Sequence, residues 1–433
     1  MRRSSLKSSA ATLESVAGEA LAGAPPKPRV DGGRLLARLQ AMAQIGRGPH
    51  GGVNRLAYTD ADVEGRGYII GLMRAAGLRV RIDAAGNIIG RREGSEPNLP
   101  PLLAGSHTDS VPGGGAYDGT VGVISSVEIA LTLAERGVTL RHPLEVVVFQ
   151  NEEEGLFGSR AMCGELPEVD LGLLSQSGKT IREGIAFIGG DPANLQAARR
   201  QRGEVAAFVE YHIEQGPVLE GEGADIGVVE GIVGVSRWEV TVNGFTNHAG
   251  TTPMNGRRDA LLAAAKFVDA VNRVVTDTRG LQVGTVGRIH ALPGAPNVIP
   301  GQVILSLDLR DLETVRLDAL YRDIDAEVSQ IAAATGTLFE LKQTSVQFPA
   351  LTDQLIQGVV VEASKELRLT TKLMRSGAGH DAQALARIAP IGMIFIPSVA
   401  GISHTPQEFS RPSDIINGAN VYLNALIKLD ALL

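Results

Sequence analysis

The chain has 433 residues, 44% of them hydrophobic but only 4% aromatic, with 52 glycines and a formal charge of −7; at about 100–200 residues per domain, this predicts two or three globular units with sizeable cores. The acidic balance offers no basic surface for nucleic acid, and no apolar run reaches the roughly 20 residues that span a bilayer. A single cysteine, Cys163, excludes an internal disulfide framework and predicts a reducing, cytoplasmic setting.

The opening MRRSSLKSSAATLESVAGEALAGAPPKP starts basic, is rich in Ala, Ser and Gly, and lacks the continuous apolar segment of a secretory signal. A disordered extension is expected over residues 1–29. GGRLLARLQAMAQI and ADVEGRGYIIGLMRAAG then carry apolar residues at helical spacing, each ending near glycine. LRVRIDAAGNIIGRR, PLLAGSHTDS and PLEVVVFQNEEEG are short β-branched runs interleaved with the helical VGVISSVEIALTLAERG. That alternation predicts an α/β sheet, with functional groups at the carboxyl ends of its strands.

The pattern changes near residue 232. WEVTVNGF, RRDALLAAAKFVDAVNRVV, LQVGTVGRIHAL, QVILSLDLR, LETVRLDALYRDIDAEVSQIAAATG and LFELKQTSV read β-α-β-β-α-β, the order of a ferredoxin-like α+β sandwich. After PALT the helix-and-strand alternation resumes in LIQGVVVEASKEL, DAQALARI, IGMIFIP and a closing helix. The expected organisation is a first catalytic part over 30–231, an inserted domain over 232–346, and a return to the first sheet over 347–433.

Chemistry-bearing residues gather at predicted strand ends. In HTDSVPGGGAYD, His107, Asp109 and Asp118 flank a Gly/Pro-rich loop; alone, a histidine there is more often structural than a ligand. NEEEG places Glu152, Glu153 and Glu154 directly after the apolar EVVVF, and three like charges repel unless solvated, protonated or met by cations. A solvated cluster is the plainer reading, but His212 of FVEYHIEQG and His404 of GISHTPQE also stand at the ends of short apolar runs. Three histidines, an aspartate and a glutamate form a ligand set for zinc, manganese, cobalt or nickel. Without a cysteine among them, an open catalytic site is favoured over a closed structural one.

In the resulting scheme Asp118 bridges two cations about 3.5–4 Å apart, one taking His107 and His212, the other Glu153 and His404. Asp109 accepts the proton on the second ring nitrogen of His107. Glu152 takes a proton from an activated water and passes it to a leaving nitrogen. NEEEG allows a one-place slip among its glutamates.

The strings GSHTDSVPGGGAYDGTVGV, FQNEEEGLFGSR, EYHIEQGPVLE, GFTNHAGTTPMNGRRDA, PNVIPG, LDLRD, SGAGHDAQ and GISHTPQE resemble, in order from about residue 30 to the end, the motifs of the dinuclear metal amidohydrolases of the hydantoinase/carbamoylase family. That family holds N-carbamoyl-L-amino acid hydrolase, allantoate amidohydrolase and β-ureidopropionase, within the M20 metallopeptidase superfamily. The EYHIEQGPVLE string marks the ureido-cleaving branch, because histidine stands where the wider peptidases usually carry an acidic ligand.

The resemblance implies a mixed-sheet metallopeptidase-type catalytic domain with an inserted ferredoxin-like dimerisation (lid) domain, and two divalent metal ions per subunit (Zn, Mn, Co or Ni). By similarity, His107, Asp118, Glu153, His212 and His404 are metal ligands, Glu152 the general base and Asp109 the orienting carboxylate. His248 of TNHAGTTP, otherwise a loop histidine, reaches the partner subunit's site and donates to the oxyanion, so a homodimer is required. Arg310 offers paired donors to a substrate carboxylate, its alternative being a surface salt bridge. Asn297, otherwise a turn residue, is assigned to the same carboxylate. Gln215 hydrogen-bonds the ureido group or braces its loop. Gly377 and Gly379 let backbone amides approach a ligand, and His380 with Asp381 forms a hydrogen-bonded pair or serves structure alone. Arg257 anchors the His248 loop, and Asp259 caps a helix.

The expected activity is metal-dependent hydrolysis of the ureido C–N bond of N-carbamoyl-L-amino acids, releasing the amino acid, carbon dioxide and ammonia. Allantoate amidohydrolase is the nearest rival, followed by β-ureidopropionase. Aminoacylase or dipeptidase activity fits the HIEQG string less well. A non-catalytic binding protein on this fold would have lost a ligand or the base, and a Rossmann dehydrogenase would need a G-x-G-x-x-G that is absent here.

Overall fold

The structure is a computed structural model in which residues 27–433 are described. The expectation for residues 1–29 lies, but for positions 27–29, outside the described residues. Asp31 caps the helix Gly32–Met42, which buries Leu35, Leu39 and Met42 on one face. Helix Asp60–Ala75 follows, capped by Thr59.

LRVRIDAAGNIIGRR folds as a hairpin: β1 (Arg79–Ile82) and β2 (Ile88–Arg92) pair antiparallel, with Asn87 N donating back to the Asp83 carboxylate across the turn. β3 (Leu102–His107) and β4 (Leu144–Phe149) are buried throughout and run parallel, joined by the helix Thr120–Glu135. A parallel pair needs such a crossover, and burial of both faces explains why each reads as an unbroken apolar run. β5 (Ala207–Ile213) and β6 (Ile226–Ile232) follow.

The next strands are β7 (Gly234–Asn243), β8 (Asn247–His248), β9 (Val283–Thr285), β10 (Ile289–Leu292), β11 (Val298–Ile299), β12 (Gln302–Asp311) and β13 (Leu338–Gln347). β7, β9, β10, β12 and β13 form an antiparallel sheet in the order β10-β12-β7-β13, with β9 also on β12. LQVGTVGRIHAL is thus broken into β9 and β10, both on β12. Helices Ala260–Asp277 and Thr314–Thr335 cover one face, around Val240, Val242, Phe267, Leu305 and Ile324. Asp259 caps the first of these helices. β12 follows the two-residue period: Val303, Leu305, Leu307 and Leu309 are buried under the helices, whereas Ser306, Asp308 and Arg310, on the other face, are only partly covered. β8 and β11 make a separate two-stranded ribbon.

β14 (Ala350–Leu351), β15 (Thr371–Ser376) and β16 (Ile391–Ile396) return to the first sheet. Its order is β1-β2-β4-β3-β5-β16-β6-β14, with β15 on β6. β4, β3, β5 and β16 are mutually parallel, and the outer pairings β1–β2, β2–β4, β16–β6 and β14–β6 are antiparallel, giving the mixed α/β sheet expected. β6 and β15 are absent from the expected element order: two glycines interrupt β6, and β15 is a half-exposed, polar run. Among the described residues no helix is long and apolar enough to cross a membrane.

Candidate metal centre

The carboxyl ends of β3, β4, β5 and β16 converge, and each delivers a functional loop. His107 closes β3 and His212 lies next to the end of β5; both are buried. Their Nδ1 atoms lie 3.0 Å from the Asp109 carbonyl oxygen and 2.9 Å from the Ile213 carbonyl oxygen, respectively. A carbonyl only accepts, so Nδ1 carries the proton on both rings and Nε2 holds the lone pair. His212 Nε2 is 3.2 Å and His107 Nε2 3.6 Å from Asp118 Oδ1. The other oxygen of Asp118 lies 3.2 Å from His404 Nε2, which in turn is 3.7 Å from Glu153 Oε2. Donor atoms of His107, Asp118 and His212 lie within 4.8 Å of one another, and so do those of Asp118, Glu153 and His404.

A third group, Glu210, His212 and His380, is equally compact. The one lone pair of His212, on Nε2, lies beside Asp118 and accepts from Gly119 N at 3.1 Å, and Glu210 accepts from Ser106 Oγ at 2.7 Å and Ala382 N at 3.0 Å. These bonds make it a buried brace between strands.

The charges are strongly unbalanced without cations. Burial pushes the Glu152 carboxyl well above its usual range, with Asp381 and Glu153 adding to the effect against His107. Burial and the Asp118 charge hold Glu153 up to about 7. Burial opposes ionisation of Asp118 too, but His107, His212 and His404 outweigh it and keep Asp118 well below the carboxylate range. The Asp118 hydrogen bond lifts His404 to about 9. A donor set that must gather protons to be neutral is one that divalent cations neutralise by displacing them.

Gly119 lets the loop pass this close to the His107 ring. Its φ is +57°, and a Cβ there would lie 2.4 Å from the His107 ring.

Around the cluster a cleft of about 250 Å³ is lined by Asp118, Glu152, Glu153, His212, His404 and, among others, Gln215, Arg310 and Gly379. Glu152 Oε2 is 3.8 Å from His107 Nε2. Gln215 donates to Asp118 Oδ2 at 2.7 Å. The Asp109 carboxylate is 3.6 Å from His107 Nδ1, farther than its own carbonyl, and accepts from Glu153 N at 3.2 Å. Arg310 Nη1 donates to Gly377 O at 2.7 Å, joining the second sheet to the loop after β15. His248 and Asn297 are not among the lining residues. They lie together on the β8–β11 ribbon, where Ala249 N donates to Asn297 O and His248 is exposed.

Arg257 holds the His248 loop through the carbonyls of Ala249 and Thr252. The His380–Asp381 pair is not formed: His380 Nε2 bonds Ser376 Oγ at 2.8 Å, because the backbone turns Asp381 into the start of a short helix. Glu408 received no role from the sequence although it ends the GISHTPQE string. Buried, it accepts from the backbone N of Tyr117, Asp118 and His404 and from Ser403 Oγ, tying the loop of Asp118 to the loop of His404. Arg237 and Asp308, beside Arg310, were also passed over.

Residues 103–428 match the peptidase family M20/M25/M40. The chain belongs to this family. It is 40% identical to an N-carbamoyl-L-amino acid amidohydrolase of Geobacillus stearothermophilus, over 92% of this chain and 99% of that one. It is 33% identical to an allantoate amidohydrolase of Bacillus subtilis, over 90% and 96%. The crystal structure of a hydantoinase/carbamoylase-family amidase from Burkholderia multivorans superposes with a TM-score of 0.85 at 39% identity, covering 93% of this M20 chain and 98% of that protein.

Proposed function

We propose that this M20-family amidohydrolase cleaves the ureido C–N bond of N-carbamoyl-L-amino acids, giving the amino acid, carbon dioxide and ammonia, with two divalent cations per subunit. The observation that carries the reading is the division of the Asp118 carboxylate: one oxygen faces His107 and His212, the other faces His404. Two groups of lone pairs sharing one carboxylate are what a bridged cation pair requires, and an all-N/O set suits Zn, Mn, Co or Ni.

When bound, such a pair supplies Lewis-acid polarisation of the ureido carbonyl and acidifies a nucleophilic water. Glu152, buried beside His107, accepts the water proton and returns it to the leaving nitrogen. His107 and His212 keep their lone pairs turned inward because the Asp109 and Ile213 carbonyls hold their other nitrogens, and Asp109 orients His107. Arg310 receives the substrate carboxylate, joined by Asn297 of the partner subunit's ribbon in the dimer described below; Gln215 meets the ureido group, and Gly377 and Gly379 admit the substrate close to the backbone.

In the same reading, residues 232–346 are a lid and dimerisation domain inserted between catalytic parts 30–231 and 347–433. His248 is exposed on the ribbon and does not line its own cleft, which supports a homodimer in which the partner subunit's His248 donates to the oxyanion. One buried, unpaired cysteine supports a cytoplasmic location.

The test loads metal-free protein with Mn, Co, Ni or Zn and compares ammonia release from N-carbamoyl-L-amino acids, N-carbamoyl-β-alanine and allantoate. Preference for an N-carbamoyl-L-amino acid supports the reading. A wide margin for allantoate replaces it with the allantoate amidohydrolase reading.

A further inference from the structure

The wall of the cleft opposite the ligands carries two arginines. Arg237 of β7 stands directly across from Asp308 of β12, and Arg310 lies two residues beyond Asp308. The strand period puts all three on the open face of the second sheet. Asp308 accepts from both guanidinium groups, from Arg310 Nε at 2.8 Å and from Arg237 Nε at 2.8 Å. Two cations against one carboxylate leave a net positive charge on this wall.

The two arginines are committed differently. Each nitrogen of Arg310 already has one bond, Nε and Nη2 to Asp308 and Nη1 to Gly377 O, so only the second N–H of Nη1 and of Nη2 is left for the substrate carboxylate. Arg237 is tied only through Nε, and its Nη1 and Nη2 make no hydrogen bond with any described residue. Its side chain is 43% exposed and lines the metal cleft together with the two cavities that adjoin it, of about 650 and 900 Å³. A guanidinium with its far edge free is matched by paired oxygen acceptors.

Building on the ureido-acid reading above, we infer that Arg237 is a specificity-determining residue that binds an oxygen-acceptor group on the substrate's side chain, in addition to the carboxylate held by Arg310. Two sources supply that chemistry, a second carboxylate and a second ureido carbonyl. The competing role is positioning alone: Arg237 would act through Asp308 to hold Arg310, and every substrate would need it equally.

The experiment measures kcat and KM of the metal-loaded full chain, wild type, Arg237→Gln and Arg237→Lys, on N-carbamoyl-L-aspartate, allantoate and N-carbamoyl-L-norvaline, with metal content followed in each variant. Wild type is expected to favour one of the two acceptor-bearing substrates over N-carbamoyl-L-norvaline. Arg237→Gln is expected to cut that preference at least about 10-fold, mainly through KM, as befits charge-assisted hydrogen bonds. Preference for N-carbamoyl-L-aspartate, partly restored by Lys, identifies a second carboxylate; preference for allantoate, not restored by Lys, identifies a ureido group. Equal loss on all three substrates, or no change in their ratios, overturns the inference while leaving the ureido-acid reading intact. Absence of ammonia release from all three by the metal-loaded wild type overturns both.

Discussion

Asp118 meets His404 Nε2 at 3.2 Å through the oxygen that does not face His107 and His212. The carboxylate therefore links two loops that leave different strands, and its loss should affect both sides of the cluster. Asp118→Asn is expected to lower bound metal and to reduce activity by more than the roughly 100-fold typical of outer-shell partners. Elemental analysis and turnover of the purified variant check this.

Glu152 touches the site without belonging to either group of three. Glu152→Gln keeps size and polarity but removes the base, so activity is expected to fall by about 10²–10⁴-fold with metal content retained. Metal lost from this variant would shift the ligand role from Glu153 to Glu152.

Gly119→Ala probes the loop itself. The new Cβ would stand 2.4 Å from the His107 ring at a φ of +57°, a conformation costing about 1–2 kcal/mol for an L-residue before the clash is counted. A fall of at least about 10-fold in metal affinity is expected from the displaced ligand. Calorimetric titration of the metal-free variant measures it.

The pH dependence follows from two raised groups, Glu153 at about 7 against 4.5 and His404 at about 9 against 6.5. Each binds its proton more tightly in the fold than in the unfolded chain. Metal-free protein therefore loses stability as pH rises, through 4.5–7 for Glu153 and 6.5–9 for His404. Cations need these ligands deprotonated, so loading has the opposite slope. The gap between the melting temperatures of metal-loaded and chelator-treated protein is expected to widen with pH over that range; a constant gap contradicts it.

Glu128, fully buried in the helix Thr120–Glu135, is paired with Arg34 at 2.6 Å and Arg38 at 2.8 Å. These contacts fasten the first helix to the helix Thr120–Glu135. Because both arginines reach solvent, Glu128→Gln is expected to cost about 2–3 kcal/mol, below the value for a wholly buried pair. Denaturant unfolding should show the loss, with the metal content unchanged.

Much of the fold could be read in the chain because burial and period agree. β3 and β4 are dry on both faces and appear as apolar runs; β7 and β12 are dry on one face and alternate. β15 was hidden because a half-exposed polar strand has no such pattern. The clustering of His107, Asp118, Glu153, His212 and His404 was legible because lone-pair side chains at strand ends are chemically conspicuous. Glu408 was not, since its role depends on backbone N–H groups of Tyr117 and Asp118 brought to it by folding. Arg237 was missed for a similar reason: only the cross-strand register sets it beside Asp308.

The central claim, a cation pair bridged by Asp118, is tested most directly by the metal-to-chain ratio of gel-filtered, fully active enzyme. The account predicts two divalent cations per chain, with both depleted in Asp118→Asn. One cation per chain at full activity, or two retained without the Asp118 carboxylate, would contradict it.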